Sequence, residues 1–391
     1  MKKYLALMMA VCLSFTMVAC GNNKEASDSA NDELPFEISE EPITIGGEES
    51  SESVEEEETV EGKYRSELTN EWIDEELKDQ RPVAVMVDNE IKALPHMGVN
   101  SADIVYEMVN STLNGRITRL MCIVKDYNNI QYIGNVRSAR PTNLLITPEY
   151  NAILIHDGGP FYINDFLARD WNNNLSGGFA RISNGKSYEY TEYATAEDYS
   201  ASGKSYKSIA NRIADGKIDV EYNEYYPGKH FEFNNKDTGL DDDKKAVDAE
   251  TIKLPFPHNE STLYYNDDTK LYEYHEYAHR TGDGFSSKQT GPHVDPLDDD
   301  NVLSFKNVII YSAVMNQLDA NGYMIYNVIG SGNNGYYITD GKAVPITWSK
   351  PSENELTVFK NKETGEDIKL NTGKTYIAIV PEDAWEELVI E

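Results

Sequence analysis

The chain has 391 residues, 40% of them hydrophobic, and carries 35 lysines and arginines against 67 aspartates and glutamates, a formal charge of −32. That is enough apolar material for two ordinary cores once a tail is set aside. The acidity, with no basic stripe anywhere in the body, excludes nucleic acid as a partner.

The first twenty residues read MKKYLALMMAVCLSFTMVAC. Two lysines precede an apolar run too short to span a membrane, and small residues lead to a cysteine, which is a secretory leader. Its last four residues resemble the lipobox of bacterial lipoproteins. In that motif the cysteine, here Cys20, takes a diacylglyceryl group (with palmitate-type chains) and becomes the new first residue. Residues 21–62 are rich in Ser, Glu, Asp and Gly, including four consecutive glutamates at 55–58. Such a segment cannot bury enough apolar surface to offset its ordering entropy, and like charges extend it, so a disordered tether is expected. Cys12 leaves with the leader and Cys20 is consumed by lipid, leaving Cys122 as a small core residue with no disulfide partner.

In the body, residues 66–80 have helical spacing with acids early and Lys78 near the end. Residues 83–88 (VAVMVD) read as a buried strand. Residues 102–109 fit a helix or a strand. Residues 117–126 and 130–136 read as strands around a turn near Tyr127, residues 151–159 as a buried strand ending in Gly-Gly, and residues 205–216 as an amphipathic helix closed by Gly216. Beyond residue 245 the texture changes to short alternating strands, tyrosine-rich and separated by Asn/Asp/Gly turns. The expected class is α+β: a mixed α/β N-terminal domain over 63–245, then a smaller mainly-β domain over 246–391.

Several motifs occur in a fixed order: Arg81-Pro82 before VAVMVDN, ADIVYE at 102–107, RITR at 116–119, GNVRSARP at 134–141 and IHDGG at 155–159. In the second half come YAHRTGDG, GPHVD at 291–295, GKAVPITWSK and NTGKTYIAIVP. In this order they resemble the YerB-like family of bacterial lipoproteins, with Arg116 standing where a glycine is usual. The resemblance implies a two-domain extracytoplasmic lipoprotein held to the outer face of the cell membrane. It implies no reaction.

NVRSARPTNLL at 135–145 raises the chemical question, because an acidic chain places two arginines three residues apart there. Pro141 disfavours helix at Arg140, so a strand-to-loop corner is expected. In RITRL, alternation puts Arg119 on the partly buried face with Ile117. A buried guanidinium needs a carboxylate or an anionic ligand, and Asp88, Asp103, Glu107 and Asp157 are candidate partners. One reading makes Arg119, Arg137 and Arg140 structural ion pairs. The other makes them, with Ser138, Asn89 and the amides of Gly158 and Gly159, a pocket for phosphate or carboxylate, to which guanidinium forks and close backbone N–H groups are suited. The ligand is then an anionic cell-envelope component, and the tyrosine-rich strands offer contact area to an envelope protein. The rival function is an enzyme on phosphorylated wall precursors, with His156 or Asp157 moving protons. His275-Glu276-x-x-His279 fits the zinc-protease pattern, which needs a helix, in surroundings that alternate like a strand. Ser183-x-x-Lys186 reads as a turn, and so does His293. No cofactor or metal site is expected.

Overall fold

The computed structural model describes residues 59–113, 115–277 and 290–391. The leader, Cys20, most of the tether (21–58) and His279 lie outside the described residues. Residues from Glu58 onward form one compact unit.

Strands far outnumber helices. The main ones are β1 (Val83–Asp88), β2 (Ile104–Val109), β3 (Thr118–Val124), β4 (Ile153–His156), β5 (Asn173–Ser176), β6 (Thr262–Asn266), β7 (Leu271–Tyr277), β8 (Asn307–Ala313), β9 (Gly335–Thr339), β10 (Lys342–Lys350) and β11 (Thr375–Pro381). A twelve-stranded mixed sheet holds most of them, with a spine ordered β10-β9-β8-β11-β2-β3-β1-β4-β5. Strand β11 runs parallel to both β8 and β2. One sheet is thus built from strands on both sides of residue 245. A six-stranded sheet contains β6 and β7.

The helical share of the N-terminal half is smaller than its sequence leads one to expect. In place of a helix over 66–80 there is a strand, Trp72–Asp74, paired with Lys63–Arg65, and one 3-10 turn, Glu75–Leu77. The Ser66 and Thr69 hydroxyls accept the N–H groups of Leu68 and Glu71, and Asn70 takes a left-handed conformation with φ of 59°. These local bonds compete with the helix ladder. Residues 104–109 resolve as strand. Two α-helices flank the sheet close to the sequence candidates. Helix α1 (Pro141–Ile146) starts at its proline, with Arg140 extended before it at φ −125°, ψ 161°. The second, α2 (Ile209–Gly216), is capped by Ser208, whose Oγ accepts the Asn211 N–H, and Lys217 rather than Gly216 takes the left-handed position that ends it.

Strands β1, β2 and β3 are buried along their whole length. They read as continuous apolar runs because both faces of the sheet are covered. Cys122 sits in β3 with its thiol pushed up by burial, consistent with an inert core residue. Among the described residues no helix is long and apolar enough to cross a membrane.

Candidate functional site

Register sets the polar chemistry. Asp88 pairs with Arg119 across β1 and β3, and Arg119 pairs with Met108 of β2. Glu107 pairs with Leu120 one step along. Facing partners share a side of the sheet and successive residues alternate, so Asp88, Met108 and Arg119 lie on one face. Asn89, Glu107 and Thr118 lie on the other.

On the first face, α1 and the corner before it cover the strand ends. The Asn143 side chain sits 3.7 Å from the Met108 sulfur and 3.9 Å from that of Met121. The three arginines converge here. Arg119, 7% exposed, donates to the Ser138 carbonyl at 2.5 Å and lies 3.8 Å from Asp88. Arg137 places Nε 2.8 Å from the other Asp88 oxygen and reaches the rim carboxylate Glu189 at 3.8 Å. Arg140, 8% exposed, donates to the carbonyls of Asn110 and Ala139 and lies over the Tyr323 ring at 5.0 Å. No carboxylate pairs with Arg140 among the described residues. Burial holds Arg119 down to about 9; Asp88 opposes the shift and the charges of Arg140 and Arg137 add to it. Burial likewise holds Arg140 down to about 10. The Arg119 Nε, fully buried, has no hydrogen-bond partner. Three guanidinium groups therefore share one buried carboxylate, and positive charge is left over.

Ser138 and the glycines frame the same corner. Ser138 Oγ donates to the Asp157 carbonyl at 2.8 Å, and the Ala139 N–H donates to the Gly158 carbonyl. Gly158 has φ of +69°, a left-handed conformation that suits glycine. At Gly159 a Cβ atom would stand 2.4 Å from Ile163, so only glycine fits. Both glycines are exposed. The Gly158 N–H reaches Ser176 Oγ at 3.4 Å.

The remaining sequence candidates go elsewhere. Asn89 faces away from the arginines, because it is the odd neighbour of Asp88 in the strand alternation. Its Nδ2 donates to Thr118 Oγ1 at 2.9 Å and to Glu107 at 3.3 Å. His156 has both ring nitrogens engaged, Nδ1 with the Gly158 carbonyl at 2.7 Å and Nε2 with Asn174 at 3.0 Å, and burial lowers its pKa. Asp157 lies 3.6 Å from Arg181, and Asp103 accepts the Lys125 N–H at 2.7 Å. His275 faces Tyr264, with ring centroids 4.7 Å apart. It lies on β7, where its neighbour Glu276 points to the opposite side, so the described part of the zinc-protease pattern has no helix under it. His293 is not a surface turn residue but is buried against Glu276.

On the second face lies a cluster that sequence reasoning did not assemble. Glu107, fully buried, accepts from Thr118 Oγ1 at 2.6 Å, Ser261 Oγ at 2.7 Å, Tyr274 Oη at 3.0 Å and Tyr376 Oη at 2.5 Å, besides Asn89. Burial raises its pKa, against the pull of the Thr118 and Tyr376 hydrogen bonds. Beside it, His293 Nδ1 lies 2.7 Å from Glu276, and the His96 and His293 rings are 4.9 Å apart. The partners come from segments up to 269 residues away, and no local pattern announces them. The one readable sign was a glutamate, Glu107, inside an apolar strand.

Known proteins share this sequence and fold. The N-terminal domain of a protein of unknown function, DUF3048, matches residues 68–209, and its C-terminal domain matches residues 252–377. The "Putative lipoprotein YerB" of Bacillus subtilis strain 168 is 25% identical over 324 residues, which is 82% of this chain and 87% of the relative. The crystal structure of YerB from the same organism superposes with a TM-score of 0.61 at 19% identity, covering 84% of this chain and 99% of that one.

Proposed function

We propose, from the premise that the chain belongs to the family of the DUF3048 N- and C-terminal domains, that it is a lipid-anchored protein which binds an anionic component of the cell envelope at its arginine corner. The anchoring reading is supported by the leader with Cys20 and by a relative whose name calls it a lipoprotein. It places the body outside the membrane on a tether.

One observation carries the binding reading: Arg119, Arg137 and Arg140 have only Asp88 between them as a buried counter-charge. A guanidinium held in a half-dry site without its own carboxylate is stabilised by a phosphate or carboxylate ligand, which it meets with two parallel N–H bonds. Arg137 is the most accessible of the three, with a side chain 30% exposed, and is positioned to meet the ligand first. Ser138 and the exposed Gly158 and Gly159 backbone border the same opening. Wall glycopolymer phosphates, lipid pyrophosphates and peptide carboxylates share this chemistry.

The test is equilibrium binding of purified wall glycopolymer and of inorganic pyrophosphate to wild type and to Arg137→Ala. Loss of Arg137 is expected to weaken binding at least about tenfold, the equivalent of one charge-assisted hydrogen bond pair, with little change in thermal stability. Equal affinity in both proteins overturns the reading. A variant that is only less stable, with a wild type that binds neither probe, makes the arginines structural. Release of a product from lipid-linked precursors during the same incubations would replace binding with catalysis.

A further inference from the structure

We propose that His96, Glu276 and His293 form a site for a divalent transition-metal cation of the zinc class. One potential ligand atom from each lies within 4.8 Å of the other two, and the three residues are 0%, 1% and 4% exposed. Two imidazoles and one carboxylate are the donor set that zinc-like ions favour, whereas calcium and magnesium want six or more oxygens.

Hydrogen bonding prepares both rings for this role. His96 Nε2 donates to the Asp88 carbonyl at 2.5 Å, which leaves the lone pair on Nδ1. His293 Nδ1 donates to Glu276 at 2.7 Å, which leaves the lone pair on Nε2. His96 Nδ1 and His293 Nε2 are both buried and neither has a hydrogen-bond partner. An outer bond from one ring nitrogen to a carbonyl or carboxylate, with the other nitrogen left bare, is the arrangement that metal-ligating histidines adopt. Buried polar atoms are otherwise almost always satisfied.

Charge is a second, independent sign. Glu276 and nearby Glu107 are both buried, and neither pairs with a lysine or arginine among the described residues. Their partners are hydroxyls, an amide and an imidazole. A divalent cation supplies the missing positive charge at the place where both carboxylates need it. Tetrahedral ligands about 2 Å from a metal stand about 3.4 Å apart, so the side chains close by roughly an ångström on binding. The site uses Glu276 of the His-Glu-x-x-His pattern but not His275, and it draws on the loop after β1, on β7 and on the short strands around His293. In a chain with Cys122 as its single described cysteine, it ties together segments nearly 200 residues apart.

The experiment takes the full chain, strips it with EDTA, restores zinc or cobalt and removes the excess by dialysis. The expected result is one retained equivalent of metal, a cobalt visible spectrum typical of four-coordinate nitrogen–oxygen ligation, and a Tm that rises with zinc and falls with EDTA. Glu276→Gln and His96→Gln should lower zinc affinity about 100-fold or more while their circular dichroism in EDTA matches that of wild type. Arg137→Ala should keep the metal, which separates this site from the anion site. A wild type that retains no metal and whose Tm ignores both zinc and EDTA overturns the proposal, and so does undiminished zinc binding in a folded Glu276→Gln. Should the variants fail to fold, metal retention and the cobalt spectrum of wild type alone decide.

Discussion

The two faces of the central sheet, at the same strand ends, carry opposite electrostatic problems. One face gathers Arg119, Arg137 and Arg140 around Asp88. The other gathers Glu107 and Glu276 among hydroxyls and imidazoles. Adjacent residues of β1 serve both, Asp88 the arginines and Asn89 the glutamate cluster. The carboxylate face is solved internally at Glu107, where five donors surround one side chain. The guanidinium face is not, because backbone carbonyls hydrogen-bond a cation without neutralising it. An incomplete solution next to exposed glycines is where a ligand belongs.

The sharpest way to break this contrast is Glu107→Ala. It strands five buried or half-buried donors and should lower stability in urea by about 4 kcal/mol, whereas Glu107→Gln, which keeps one acceptor oxygen, should lose about half of that. A loss below about 1 kcal/mol in the alanine variant would mean the cluster is looser than its hydrogen bonds imply. Next in size is Asp88→Asn, which removes the shared counter-charge. It should lose about 3 kcal/mol in chloride buffer and regain much of it in millimolar phosphate, read as paired unfolding curves; no response to phosphate would deny the face its excess charge.

A third carboxylate sits away from both sites, just before β2. Burial raises the Asp103 pKa from 3.8 to about 7, against the Lys125 N–H bond that lowers it. Between those values the folded state holds a proton that the unfolded state has lost. Its stabilisation is therefore complete below about pH 4 and fades as pH rises through about 7, by roughly 2 kcal/mol after allowance for its partial exposure. Asp103→Asn should flatten that part of the stability–pH curve, and an unchanged curve would show the shift to be absent. The smallest effect is expected at Arg116, whose bidentate pair with Asp383 is exposed. Arg116→Ala should cost under about 1 kcal/mol, within a degree or two of wild type by thermal melt.

Local rules read much of the arginine face in advance. Alternation in RITRL put Arg119 inside, and Pro141 kept Arg140 extended before a turn. Both are nearest-neighbour effects, which is why a single sequence displays them. The helix expected over 66–80 failed on local grounds too, since hydroxyl-to-backbone bonds at Ser66 and Thr69 outbid a weak periodicity. The glutamate face was invisible for another reason. Ser261, Tyr274, His293 and Tyr376 reach Glu107 or Glu276 only through tertiary pairing, and in isolation each looks like ordinary strand decoration. His96 carried no motif at all.

Strand β11 has a kinetic meaning. It occupies the middle of the large sheet, between β8 and β2, yet it is made from residues 375–381. A chain emerging amino end first, from a ribosome or through a translocase, leaves a slot in its sheet until nearly the last residue arrives. Tyr376, which bonds Glu107, arrives with that strand. Closure is thus deferred to the end of synthesis, and nascent or shortened chains present two open edges on either side of the gap.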